Sequence, residues 1–120
     1  MYSDSNFTTI LAGEDLSDSE GCAVVAAGTV TTSAASIPVG FVVRGAANGL
    51  PILIQGGGYG LVKCNAAVTA GAFLVATGSG EVDDLTLTNA EYSCGVALET
   101  GSAGDHLIKA LISIGAFPAA

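Results

Sequence analysis

The chain has 120 residues, half of them apolar and only 12% charged, with eleven acids set against Arg44, Lys63 and Lys109 for a formal charge of -8. That length fits one domain, and the acidic balance argues against a nucleic-acid partner, because phosphate contacts need cationic side chains. No apolar run reaches the roughly 18 residues that would span a bilayer, and three cysteines with no close pair do not make a disulfide framework.

In chain order, the first element is a polar segment. Asp4, Glu14, Asp15, Asp18 and Glu20 fall within residues 1–20 with no base among them, so this stretch reads as an extended, solvated arm outside the domain. It lacks the basic then apolar pattern of a secretory leader, so the protein is expected to be made and kept in a cytoplasm. Phe7, Ile10 and Leu11 stand out among its polar residues and are candidate contacts for a larger partner, formed as the arm orders on binding.

Residues 21–120 then read as a single all-β domain. Short Val, Ile, Leu and Phe runs bounded by Gly, Ser, Asn and Pro predict strands near 22–27, 37–44, 50–55, 59–64, 72–77, 81–87, 92–99 and 106–114. Alanines interleaved with Val, Thr and Gly give no helical period. Regular short strands favour a small barrel or sandwich. HLIKALISIGAF (106–117) is almost continuously apolar, which predicts burial on both faces by the domain or by a second chain. With so few charges, the domain is expected to self-associate or dock on a larger body.

The chain also contains itself twice, with halves at about 21–60 and 71–115. GCAVVAAG (21–28) lies over GAFLVATG (71–78), and PVGFVVRGAANGLPILI (38–54) lies over SCGVALETGSAGDHLIK (93–109). The recurring glycines are Gly21 with Gly71, Gly40 with Gly95 and Gly49 with Gly104, a scaffold of turn and close-packing positions.

Four stretches invite a chemical reading and none sustains it. Ser102, Asp105 and His106 are triad residue types, but Thr100 stands where a nucleophile elbow needs Gly, and the equivalent loop of the first half, GAANGLP, lacks all three. QGGGYG (55–60) has neither the Lys nor the Ser/Thr of a phosphate loop, so it reads as a bend between strands, with Tyr59 as a further candidate contact. Cys22, Cys64, Cys94 and His106 have no knuckle spacing for zinc. Glu81, Asp83 and Asp84 lack a calcium loop and read as a solvated strand edge. The expectation is a protein that is not an enzyme, with no catalytic residue, no cofactor and no metal.

The phrases AGEDLSDSEGCAV (12–24), IPVGFVVRGAANG (37–49), AAVTAGAFLVATGSGEV (66–82) and CGVALETGSAGDHLIKALI (94–112), in that order, resemble a family of tailed-phage head proteins, the capsid decoration or cement proteins. The resemblance runs from about residue 9 to residue 115 and rests on the succession of Gly/Ala-rich phrases. It implies a small β-barrel or β-tulip domain bound to the major capsid protein on the outer surface of a virion, synthesised in a bacterial cytoplasm. It further implies a homotrimer, with a dimer as the alternative, and neither nucleic acid nor membrane as partner. The family brings no catalytic residues, and the matched positions are the scaffold glycines Gly21, Gly40, Gly49, Gly71, Gly95 and Gly104. The competing expectation is a non-catalytic ligand- or receptor-binding β-barrel module.

Overall fold

The computed structural model describes residues 7–31, 38–65, 67–84, 93–101 and 107–114. The Ser102, Asp105 and His106 stretch with Gly104, the first six residues and the tail from 115 lie outside them. Nine strands and no helix occur among the described residues: β1 (Phe7–Leu11), β2 (Ala23–Val24), β3 (Gly40–Arg44), β4 (Pro51–Gln55), β5 (Gly57–Lys63), β6 (Phe73–Ala76), β7 (Val82–Asp84), β8 (Ser93–Ala97) and β9 (Leu107–Ser113).

These strands form two antiparallel sheets, ordered β1-β4-β3-β2 and β5-β9-β8-β6-β7. The fold is all-β as expected, but neither sheet closes into a barrel. The second comes nearest, where one parallel bridge joins Cys64, just past β5, to Val82 of β7. A single bridge leaves most of the strand-edge hydrogen bonds outside any ladder, whereas closure needs a continuous stagger.

The duplication is visible in the ladders. Ala23 pairs with Phe41 and Val24 with Gly40 in the first sheet, while Phe73 pairs with Val96 and Leu74 with Gly95 in the second. The Val42 amide donates to the Cys22 carbonyl (2.9 Å) as the Ala97 amide donates to that of Ala72 (2.9 Å). Gly21 and Gly71 carry φ of 87° and 89°, a left-handed conformation that glycine adopts without a Cβ penalty. Gly49 has φ of 87°, as its place in a turn predicts.

Two details of the expected alignment are corrected. The turn glycine matching Gly28 is Gly80, not Gly78, because Val25 N donates to Thr29 O where Thr77 N donates to Glu81 O. In β4 and β9 the match slips by one residue: Val42 faces Ile54 and Ala97 faces Ala110, so Ile54 corresponds to Ala110 and not to Lys109. The second half carries one more residue than the first between these equivalent pairs, Val42 with Ile54 and Ala97 with Ala110, and a bulge between Val42 and Arg44 offsets part of a longer β8–β9 connection.

The arm is corrected too. From Phe7 onward it belongs to the domain: β1 pairs with β4 along its whole length, and Leu16 is buried. Phe7, Thr8, Thr9 and Ile10 are β-formers, while Glu14 is no solvated charge, since its Oε2 accepts from the Val30 amide at 2.8 Å. Moreover β1 stands to β4 as β5 stands to β9, with Ile10 on Ile52 and Val62 on Ile108. The repeated unit therefore starts with the arm, and β1 is the first-half counterpart of β5.

Two cores result. Val62, Leu74, Ile108, Ala110 and Ile112 of the second sheet pack together with Phe41 and Ala23 of the first. Val24, Val42, Ile52 and Ile54 make a smaller core with Ala12 and Leu16.

Candidate interaction surface

One residue row crosses each sheet at equivalent positions. In the second sheet, Tyr59 pairs with Leu111, Leu111 with Val96, and Val96 with Phe73. In the first sheet the equivalent row is Phe7, Gln55, Phe41 and Ala23. Side chains alternate across a strand, so each row lies on one face.

The two rows have opposite fates. Gln55, Phe41 and Ala23 are 6%, 1% and 0% exposed, whereas Tyr59 and Phe73 are 75% and 54% exposed. Gln55, Phe41 and Ala23 are covered by the second half of the same chain, and Phe7 at the end of the row is exposed. Lys63 N donates to Gly21 O at 2.9 Å, Ala23 N donates to Gly80 O at 2.7 Å, and the Thr31 hydroxyl donates to Thr77 O at 2.7 Å. Gln55 seals this junction, its amide nitrogen donating to the carbonyls of Gly57 (2.8 Å) and Tyr59 (2.9 Å).

Among the described residues nothing seals the second row as the first is sealed. Beside it runs a shorter row, with Leu61 paired to Lys109 and the Leu98 amide donating to the Lys109 carbonyl at 2.9 Å. Leu61, Leu98 and Leu107 are exposed. Tyr59, Leu61, Leu98 and Lys109 line a shallow hollow there. The strand β9 thus alternates, with Ile108, Ala110 and Ile112 inward and Leu107, Lys109 and Ser113 outward, so within the chain it is buried on one face and not on both. The Lys109 amide donates to Glu99 Oε2 at 2.7 Å, and Lys63 forms an ion pair with Glu81 at 3.6 Å on the strand edge.

Of the residues expected to make contacts, Phe7, Leu11 and Tyr59 are exposed, while Ile10 is half-buried against the smaller core. Tyr59 does not project from a bend: β5 begins at Gly57, so Gly57, Gly58 and Gly60 of QGGGYG are strand residues and Gly56 alone separates β4 from β5. The open partners of Tyr59, namely Phe73, Val96, Leu98 and Leu111, were not singled out from the sequence. The signal that carried them is the alternation Leu107, Lys109, Leu111 within an otherwise apolar run.

Cys22, Cys64 and Cys94 are all buried. Burial pushes Cys94 up to about 12, and its Sγ lies 3.5 Å from the Leu74 carbonyl. Burial, then the charges of Asp83, Asp84, Glu81 and Glu99, raises Cys64 as well. A thiol so raised is a poor nucleophile at neutral pH. Among the described residues no three His, Cys, Asp or Glu side chains converge as a metal cluster would, and no helix is long and apolar enough to cross a membrane.

Comparison of the chain with protein-family models and with curated proteins finds no match.

Proposed function

We propose that this chain is a capsid decoration protein, a non-catalytic unit that binds the outer surface of a phage head and stabilises its coat lattice. The observation that carries the reading is the amount of large apolar surface left open on a small, weakly charged domain: Tyr59, Leu61, Phe73 and Leu98 on the second sheet, Leu11 and Leu50 beside the first. A monomer working alone gains nothing from such patches, whereas a subunit of a larger body buries them. The four-phrase resemblance supplies the kind of body.

Physically, a ligand that binds the assembled lattice and not the free coat subunit stabilises the lattice by mass action. A self-associated unit, a homotrimer in this reading, presents the same contact several times to a symmetric shell. After the first contact the others are effectively intramolecular. Modest apolar contacts then give durable attachment without any chemistry.

The hollow beside Lys109 favours a second reading, a module that binds a small ligand or receptor. Density-gradient fractionation of phage particles, followed by mass spectrometry, separates the two. Comigration with DNA-filled heads at near-stoichiometric ratio to the coat protein supports decoration; absence from particles removes it and leaves the binding module.

A further inference from the structure

We propose that the open outer face of the second sheet is the seat for a second copy of this chain, which docks on it through its own first half, head to tail, in the way the two halves already meet within one chain.

The equivalence of the halves defines both sides of this contact. Inside the chain, the covered face is Gln55, Phe41 and Ala23 with Gly21, Phe7 standing exposed at the end of the row, and the covering group is Lys63, Leu107 and the β6–β7 turn around Thr77 and Gly80. Leu107 and Lys63 lie so close to Gly21 that a Cβ there would strike both. The counterpart of the covered face is the Tyr59, Leu111, Val96, Phe73 row with Gly71. All of it is open or half-open, and a Cβ on Gly71 would meet nothing within 4 Å.

The counterpart of the covering group follows from the same registers. Lys63 pairs with Leu107 as Leu11 pairs with Pro51, and the turn at Thr77 to Gly80 matches that at Val25 to Gly28. Leu11 is 63% exposed, and Pro51, Ala26 and Ala27 are exposed as well. The first half therefore presents an unused copy of the surface that the second half uses, and the second half presents an unused copy of the surface that the first half fills. The backbone repeats the logic: Lys63 N donates to Gly21 O within the chain, and the matching donor is Leu11 N on β1, an edge strand of its sheet.

Two different patches meeting in this way make a heterologous contact, which closes into a ring or runs on as a filament. Each added copy leaves one seat and one docking surface open until the ring closes. Leu11 and Tyr59, candidates for contact with the coat, are thereby assigned to contact between copies. This inference concerns the purified chain alone and holds or fails independently of whether the coat is its partner.

The test is a complementation of two variants, read by native mass spectrometry and sedimentation velocity. The wild-type chain is expected as a ring of three or more copies. Phe73→Glu with Val96→Glu blocks the seat, and Leu11→Glu with Ala26→Glu blocks the docking surface; each is expected at the monomer mass of 11.7 kDa. Mixed one to one, they retain one intact contact between them and form a heterodimer and nothing larger. Tyr59→Asp serves as a second seat variant, and cooperative thermal unfolding identifies the variants that fold. A monomeric wild type, a folded seat variant that keeps the wild-type mass, or two monomeric variants that fail to pair on mixing would overturn the proposal.

Discussion

The two halves of this protein are built to one plan and differ in what lies on them. Phe41 and Val96 occupy the same place in equivalent strands, each between a β2- or β6-type neighbour and a β4- or β9-type neighbour. Phe41 is sealed by the other half and Val96 is not. Sequence at the two places follows the environment: the covered row carries Ala23 and a hydrogen-bonded Gln55, the open row Phe73 and Leu111. An open face that is more apolar than its covered counterpart is the reverse of what solvent alone would select. It is the difference on which the proposed contact between copies rests.

The largest expected effect sets the two faces directly against each other. Phe41→Ala removes a ring from the junction and should cost about 3–5 kcal/mol, whereas Val96→Ala should cost the unassembled chain less than about 1 kcal/mol. Urea denaturation of both at low protein concentration reads the difference, and equal costs would break the comparison.

The glycine pair sharpens it further. Gly71→Ala bears only the strain of a positive φ, about 1 kcal/mol. Gly21→Ala bears the same strain and also drives a methyl into Leu107 and the Lys63 backbone, which adds about 1–3 kcal/mol. A thermal-melt series in which Gly21→Ala is much the worse would show the cover on the first half, and a reversed order would deny it.

Gln55→Leu installs the residue type found at the equivalent Leu111. It leaves the Gly57 and Tyr59 carbonyls without their amide donor and should cost about 1–2 kcal/mol. Faster amide exchange confined to the start of β5 would locate the loss.

The smallest effects are on pH dependence. The folded Cys94 thiol is raised to about 12 from an ordinary 9.0, so its contribution is fully present below pH 9 and is lost progressively as pH climbs towards 12. Cys94→Ala should flatten that alkaline limb. At the acid end, hydrogen bonds from the Ser17 hydroxyl and amide lower Asp15, so its contribution is present above the ordinary carboxylate range and fades as pH falls through the lowered value. Ser17→Ala should weaken that fading at low ionic strength, as followed by melting temperature against pH.

Eight of the nine strands and the pairing of Cys22 with Ala72 and Val42 with Ala97 were legible in the sequence, because Gly and apolar runs repeat at matching places. β1 was not, since the acids that follow it outweigh its four β-forming residues, Phe7, Thr8, Thr9 and Ile10, when the segment is read by charge. Its kinship with β5 was also hidden: FTTIL and YGLVK share no residue in register, and only their ladders on β4 and β9 reveal it. The one-residue slip in β4 was beyond reach because the extra residue falls in the connection between the second half's paired strands, where the apolar runs do not mark it. The open face was half legible. Tyr59 drew notice as an aromatic among glycines, but Phe73 and Leu98 look like core residues until the sheet order shows which side of them is empty.

The most direct measurement of the central claim, that the second sheet's outer face is covered by assembly, is hydroxyl-radical footprinting with mass spectrometry across a dilution series. The account predicts that Phe41 stays protected throughout, while Tyr59, Leu61 and Phe73 are protected at high concentration and become reactive together on dilution to monomer. Tyr59 and Phe73 reacting equally at every concentration would contradict it.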